Sequence, residues 1–192
     1  MSAAAPPIAL LDACVLAPLI LRESLLAAAR EGLFRPRWSD RIEAEWRRAA
    51  AKEARGAPAA LIDGDIALAR AAHPDALVAG WEAHEGPLAL PDWEDRHVLA
   101  AAIAAGAALL VTDNLRDFPK RTLAAHGMRP VGGDAYLTEL LADAPEAMGR
   151  ALARIEAMAP PEARAQGLAK LLKRGRLPRF AKAAARAGFA SL

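Results

Sequence analysis

Apolar residues along the chain fall into two kinds of run. Short unbroken stretches predict buried strands at Ile8–Asp12 and Ala107–Thr112, with weaker ones at Leu33–Trp38, Leu77–Trp81 and Arg129–Val131. Gly86–Pro91 encloses a further short apolar piece. Pro36 marks its strand as irregular, because proline has no N–H to give to a ladder. Between these runs apolar residues recur every three or four positions and predict helices. Pro18 opens the first, which runs to Ala29 and is stopped by Gly32. Ser39 caps the second, whose apolar positions are Ile42, Trp46, Ala49 and Ala50. Ala59–Ala72 is the third. Asp92 opens a fourth, through Val98, Leu99, Ala102 and Ile103 to Gly106, and Arg121–His126 forms a short fifth.

Strands that alternate with helices predict an α/β fold with a mostly parallel sheet covered on both faces. After Gly132-Gly133 the pattern turns wholly helical, over Ala135–Ala142, Pro145–Met158, Pro161–Lys173 and Pro178–Ala187. The expected organisation is one α/β domain over 1–133 and a helical C-terminal extension over 134–192 that packs on it.

Composition narrows the class. Of 192 residues 54% are hydrophobic and 25% charged, which excludes intrinsic disorder. Much of the apolar count is alanine, which favours small, closely packed helices. No apolar run reaches the ~18 residues of a membrane span, and no basic segment followed by an apolar one opens the chain. The expectation is a soluble, cytoplasmic protein without a membrane partner. A single cysteine, Cys14, excludes an internal disulfide framework and a multi-cysteine zinc site. The net charge of +2 conceals a division: from Arg164 onward there are eight basic residues and no acid, so residues 1–163 carry −6.

Four acids occupy positions where a core is expected. Asp12 ends the first strand, Asp117 follows the Leu-Leu-Val-Thr strand, Asp95 lies in the first turn of the 92–106 helix, and Glu45 lies on the helix begun by Ser39. Parallel sheets bind ligands at the carboxyl ends of their strands, where Asp12 and Asp117 fall. Asp95 precedes Val98 and Leu99 by three and four residues and shares their row. Glu43 and Glu45 flank the apolar stripe of their helix about equally, so periodicity does not choose between them. Converging carboxylates repel and need a cation. The histidines at 73, 84, 97 and 126 are scattered and read as surface or core residues. An all-oxygen set suits Mg²⁺ or Mn²⁺, which activate water for displacement at phosphorus.

The segments Leu-Leu-Asp12-Ala-Cys-Val-Leu, Ser39-Asp-Arg-Ile-Glu-Ala-Glu45-Trp, Leu-Pro-Asp92-Trp-Glu-Asp95-Arg-His-Val-Leu and Val-Thr112-Asp-Asn114-Leu-Arg-Asp117-Phe-Pro resemble the PIN-domain family over roughly residues 6 to 132. They are most similar to its VapC-type toxin nucleases of bacterial toxin–antitoxin pairs. The resemblance implies a three-layer α/β/α fold and Mg²⁺- or Mn²⁺-dependent RNA cleavage by water, leaving a 5′-phosphate and a 3′-hydroxyl. It places the family's acids on Asp12, Glu45, Asp95 and Asp117, the second through a Ser39-x5-Glu45 pattern. Asp12, Asp95 and Asp117 would bind metal, and Glu45 would complete the site or orient water. Thr112 and Asn114 would give hydrogen bonds. Asp113 ranks second, and Asp92 caps its helix. A homodimer and an antitoxin protein are partners that the family implies.

The rival reading is a non-catalytic PIN-like regulator that binds RNA or protein. A small phosphatase fits less well, since Asp12-Ala-Cys-Val lacks the phosphate-gripping residues such enzymes use. Lys173, Arg174 and Arg176 are candidates for RNA phosphate contact, interleaved with apolar Leu168, Leu171 and Leu172.

Overall fold

The computed structural model describes residues 5–53 and 58–189. In chain order it holds β1 (Ile8–Leu11), α1 (Ala13–Leu16), α2 (Leu19–Arg30), β2 (Arg35–Ser39), α3 (Asp40–Glu53), α4 (Ala59–Ala72), β3 (Leu77–Val78) and α5 (Glu82–Glu85). A 3₁₀ turn at Trp93–Asp95 leads into α6 (Arg96–Ala104), followed by β4 (Leu109–Val111), α7 (Lys120–Ala124) and β5 (Arg129–Val131). The remaining helices are α8 (Gly133–Asp143), α9 (Pro145–Met158), α10 (Pro161–Arg164), α11 (Leu168–Arg174) and α12 (Pro178–Arg186). The chain divides into two compact units: Met1–Ala17 with Phe34–Gly132, and Pro18–Leu33 with Gly133–Leu192.

The first unit carries the sheet. Its five strands run in the order β3-β2-β1-β4-β5, and every pairing is parallel. This is the α/β fold with a parallel central sheet that the alternation of patterns predicts, accompanied by C-terminal helices. Leu10, Leu11, Leu110 and Val111 are wholly buried, as fits central strands covered on both faces. Two prolines sit within strands without breaking them. Pro36 pairs with Ala9, but β3 covers only Trp38 and Ser39, so no outer neighbour needs a donor there. Pro130 lies on the edge strand β5. The strand expected over Leu77–Trp81 stops at Val78, because Gly80 takes φ +73 and turns the chain towards α5.

Two helices matter most for the site. On α3, Ser39 Oγ accepts from Ile42 N at 3.2 Å, the cap that its position predicts. Trp46 of α3 meets Trp38 edge-to-face at 6.5 Å, and both are fully buried. On α6, every residue from His97 to Ala102 is buried. The run of alanines there lets the helix lie close to β1, β2 and β4. The single helix expected over 92–106 is in fact the 3₁₀ turn plus α6. Asp92 Oδ1 accepts from Glu94 N at 2.9 Å and fixes that tighter first turn. Gly106 at φ +61 ends α6.

The second unit is all helical. It gathers α2 with α8, α9 and α11, so the helix at 19–30 clusters with the C-terminal helices rather than with the strands that flank it in sequence. A Cβ at Gly175 would stand 2.5 Å from Ile20 Cβ, a contact that only glycine permits. The helix expected over Pro161–Lys173 is broken in two where Gly167 takes φ +84. Among the described residues no helix is long and apolar enough to cross a membrane.

Candidate active site

The site is built where the two central strands end. β1 and β4 are neighbours in register, with Leu11 beside Val111, so the next residues, Asp12 and Thr112, leave the sheet side by side. The ladder carries on past the strands: Asp12 N donates to Val111 O at 3.1 Å, and Thr112 N donates to Val131 O at 2.9 Å. The chain departs from β1 to β2 on one side, while β4 and β5 lie on the other. The carboxyl ends of β1 and β4 therefore form a topological switch point, the usual ligand crevice of an open parallel sheet.

Asp12 is buried and bracketed. Its Oδ2 accepts from Thr112 Oγ1 at 2.7 Å and from Cys14 Sγ at 3.1 Å. Thr112 Oγ1 in turn accepts from Asn114 N at 3.0 Å, and Asn114 Nδ2 donates to Asp95 Oδ2 at 3.1 Å. A continuous chain of hydrogen bonds thus joins Asp12, Thr112, Asn114 and Asp95 across three segments of the fold. From the sequence Cys14 serves to exclude a disulfide framework and a multi-cysteine zinc site, and shows no role in the site. Here it clamps the loop, since Asp113 N donates to its Sγ at 3.3 Å. Burial and the Asp12 charge push its thiol up to about 12, so it stays a neutral donor.

Electrostatics show how tightly the acids converge. Burial, and then the charges of Asp12, Asp92 and Asp117, raise the Asp95 carboxyl from its ordinary 3.8 to about 6. Burial is also the main cause that lifts Asp12. Its hydrogen bonds to Thr112 and Cys14 oppose the rise, and the Glu45 charge adds to it. Asp117 lies in the turn after β4, where its N donates to Asn114 O at 3.2 Å, and Arg116 Nε reaches its Oδ2 at 3.4 Å. Arg116 is 88% exposed, so that pair is weak.

The two glutamates of α3 separate clearly. Glu43 is buried, and its oxygens are taken: Oε1 accepts from Trp38 Nε1 at 2.7 Å and from Arg70 Nε at 2.7 Å, while Arg70 Nη2 holds Oε2. Both of its oxygens are thus committed to structural partners. Glu45 is half-buried, and its Oε1 stands 3.0 Å from Nε2 of the buried His97. No spacing rule connects positions 45 and 97, which lie on different helices. The place of His97 directly before the apolar run Val98–Ala102 was the one signal in the sequence.

The other sequence candidates lie as follows. Asp113 is exposed, with its Oδ1 near Gly132. Ser39 is consumed by its cap. Lys173, Arg174 and Arg176 are exposed in the second unit, at and just beyond the end of α11.

A metal fits the chemistry of this donor set. Asp12, Asp95, Asp117 and Glu45 supply only hard oxygen ligands, and two of the carboxyls are raised, by burial first and by neighbouring acids second. The set is not a finished cage: among the described residues no group of three His, Cys, Asp or Glu side chains stands ready to hold a metal ion.

Residues 9–116, more than half of the chain, match the PIN domain family. The chain belongs to that family. PIN domains are in general nucleases that act on nucleic acid and typically use divalent metal ions, so the fold described above is that of a class of nucleases. No curated protein and no solved structure matches the chain.

Proposed function

We propose that the protein is a Mg²⁺- or Mn²⁺-dependent endoribonuclease and serves as the toxin of a bacterial toxin–antitoxin pair. The observation that carries the nuclease reading is the gathering of Asp12, Asp95 and Asp117 about the carboxyl ends of β1 and β4, with Asp95 raised to about 6 by burial and then by the charges of the acids around it. Asp12, Asp95 and Asp117 would hold the cation. When bound, it supplies an activated water and neutralises charge on the phosphodiester.

The chain's own groups do the rest. Thr112 and Cys14 orient Asp12 by donating to Oδ2, and the backbone N–H of Ala13 adds a further bond to the same carboxylate. Asn114 orients Asp95 in the same way. Glu45, whose charge acts on Asp12, would orient the attacking water. The exposed Lys173, Arg174 and Arg176 add phosphate contacts with RNA. An antitoxin that occludes the crevice and a homodimer complete the reading.

The test is cleavage of RNA by the purified chain with Mg²⁺ or Mn²⁺, with chelator, and as Asp12→Asn. Cleavage that needs metal and is lost in the variant supports the proposal. A parent chain that binds RNA but never cleaves it favours a regulator instead. Production of the parent, but not of Asp12→Asn, should arrest bacterial growth. Unarrested growth with active nuclease would remove the toxin role alone.

A further inference from the structure

We propose that His97 is a positioning residue whose Nε2–H holds the Glu45 carboxylate beside Asp12. This rests on the nuclease reading for what Glu45 does, though not for where it is held.

The geometry leaves little else to hold it. Glu45 Oε1 has three nitrogens within reach: His97 Nε2 at 3.0 Å, Arg48 Nη2 at 3.8 Å and Arg41 Nε at 3.9 Å. Only the first is within hydrogen-bonding distance. Both arginines belong to α3 itself, at 39% and 70% exposure, and Arg41 also turns to Glu85 at 3.3 Å. Exposed pairs of that kind fix a side chain weakly. His97 is 1% exposed and rooted in α6, the helix that follows directly from Asp95. Its ring meets Trp81 edge-on at 6.0 Å and 63°, and Trp81 is itself tied by Nε1 to Asp40 Oδ1 at 3.1 Å. A rigid ring thus connects α6, which begins directly after Asp95, to α3, which carries Glu45.

The proton has one good place on that ring. Nδ1 is buried and has no partner among the described residues. A proton there would bury an unpaired N–H, and on a neutral ring it would set two acceptors, Nε2 and Oε1, against each other. With the proton on Nε2, the ring donates to Glu45 and leaves only an unused acceptor. Residues that orient a metal-site carboxylate in this way commonly change metal affinity or activity by about 10–100-fold when removed.

The test compares His97→Phe, His97→Gln, Glu45→Gln and the His97→Phe/Glu45→Gln pair. Phenylalanine keeps the ring against Trp81 and removes the donor, while glutamine replaces Nε2–H with an amide N–H of similar reach. The proposal expects His97→Phe to lower kcat on RNA by about 10–100-fold with KM little changed, and His97→Gln to recover most of it. The double variant should be no slower than Glu45→Gln, because His97 acts only through that carboxylate. Losses that multiply, or a folded His97→Phe as fast as the parent, overturn the proposal. If His97→Phe fails to fold, Glu45→Gln and His97→Gln decide by the same comparison.

A second readout needs no activity. In the metal-free chain, ¹⁵N spectra of the His97 ring should show the proton on Nε2 and a marked change there in Glu45→Gln. A proton on Nδ1, or a ring indifferent to Glu45, refutes the positioning. A parent that cleaves no RNA removes the nuclease reading by itself, and the ring spectrum then decides the His97–Glu45 pairing alone.

Discussion

The two units treat their acids in opposite ways. In the helical unit Glu31 receives Arg150 Nε at 2.7 Å and Arg154 Nε at 3.3 Å, and these partners hold its carboxyl below the usual range. Asp134 caps α12, accepting from Arg179 N at 2.9 Å and Phe180 N at 2.8 Å. At the sheet edge of the other unit, Asp12 and Asp95 are raised, chiefly by burial, and their hydrogen-bond donors are a hydroxyl, a thiol, a backbone N–H and an amide, none of them cationic. Each of these two carboxylates of the helical unit meets either cations or the positive N-terminal end of a helix. The raised pair lacks positive charge of its own, and that lack is what a cation would remedy.

The strongest way to break this contrast is to remove acids from each region. Asp12→Asn or Asp95→Asn should reduce metal-dependent RNA cleavage to background, as should chelator on the parent. Glu31→Gln should leave cleavage unchanged. Thermal unfolding in metal-free buffer should show the site variants folded and no less stable, since a repulsion has been removed. Rapid cleavage by Asp12→Asn, with contaminating nuclease excluded, would end the assignment.

The contrast also runs within α3. Glu43→Gln should cost about 1–3 kcal/mol of stability, because it weakens the pairing with Arg70 and disturbs a buried bond from Trp38. Arg70 is half-exposed, so the loss should not reach that of a fully buried ion pair. Glu45→Gln should cost little stability and slow cleavage. Denaturant titration beside kinetics reads both, and an exchange of the two effects would mean that the roles are reversed.

How much of this could be read from sequence differs by residue, for physical reasons. Asp12 was legible because an acid ending an Ile-Ala-Leu-Leu strand has no turn or cap to serve. The position of Asp95 was legible from its row on the helix, although the tighter first turn set by Asp92 was not. Periodicity left Glu43 and Glu45 level, since both flank the stripe; what separates them is Trp38, Arg70 and His97, all contacts through space. The clamp by Cys14 depends on β1 and β4 being neighbours, which strand order in the chain does not reveal. The clustering of α2 with the distant C-terminal helices was invisible for the same reason.

Acid should separate the two regions again, more gently. The folded chain binds a proton at Asp95 with a value of about 6, above the ordinary 3.8. That group's contribution to stability is complete below 3.8 and is lost as pH rises through about 6. Glu31 has the opposite sign: its contribution is present above its ordinary value and lost as pH falls through the lowered one. Between about pH 7 and about pH 5, the metal-free chain should therefore gain stability from Asp95 before Glu31 gives any back. Thermal unfolding in chelator across that range checks it. Asp95→Asn should flatten the gain, and added Mn²⁺ should oppose it by favouring the ionised carboxylates. A gain that persists in Asp95→Asn would assign it to another group.

The smallest effect tests whether the basic end of the chain belongs to the same function as the acidic crevice. Lys173 and Arg174 close α11, and Arg176 follows Gly175 at φ +65, all three exposed, while Leu168 and Leu172 on the same segment are buried. The apolar face thus anchors a turn that presents its cations outward. If they meet RNA phosphates, each contact releases counterions, and affinity falls with salt by a slope of about 0.7 per contact on a single strand. Lys173→Ala, Arg174→Ala and Arg176→Ala together, placed on an Asp12→Asn background so that RNA survives the measurement, should then lower the slope by about 2. Affinity at one salt concentration falls for many reasons, whereas the slope counts phosphate contacts, so the slope is the decisive quantity. An unchanged slope would assign these cations to a protein partner or to solubility, and the acids at the ends of β1 and β4 would keep their role, since no part of that assignment depends on the second unit.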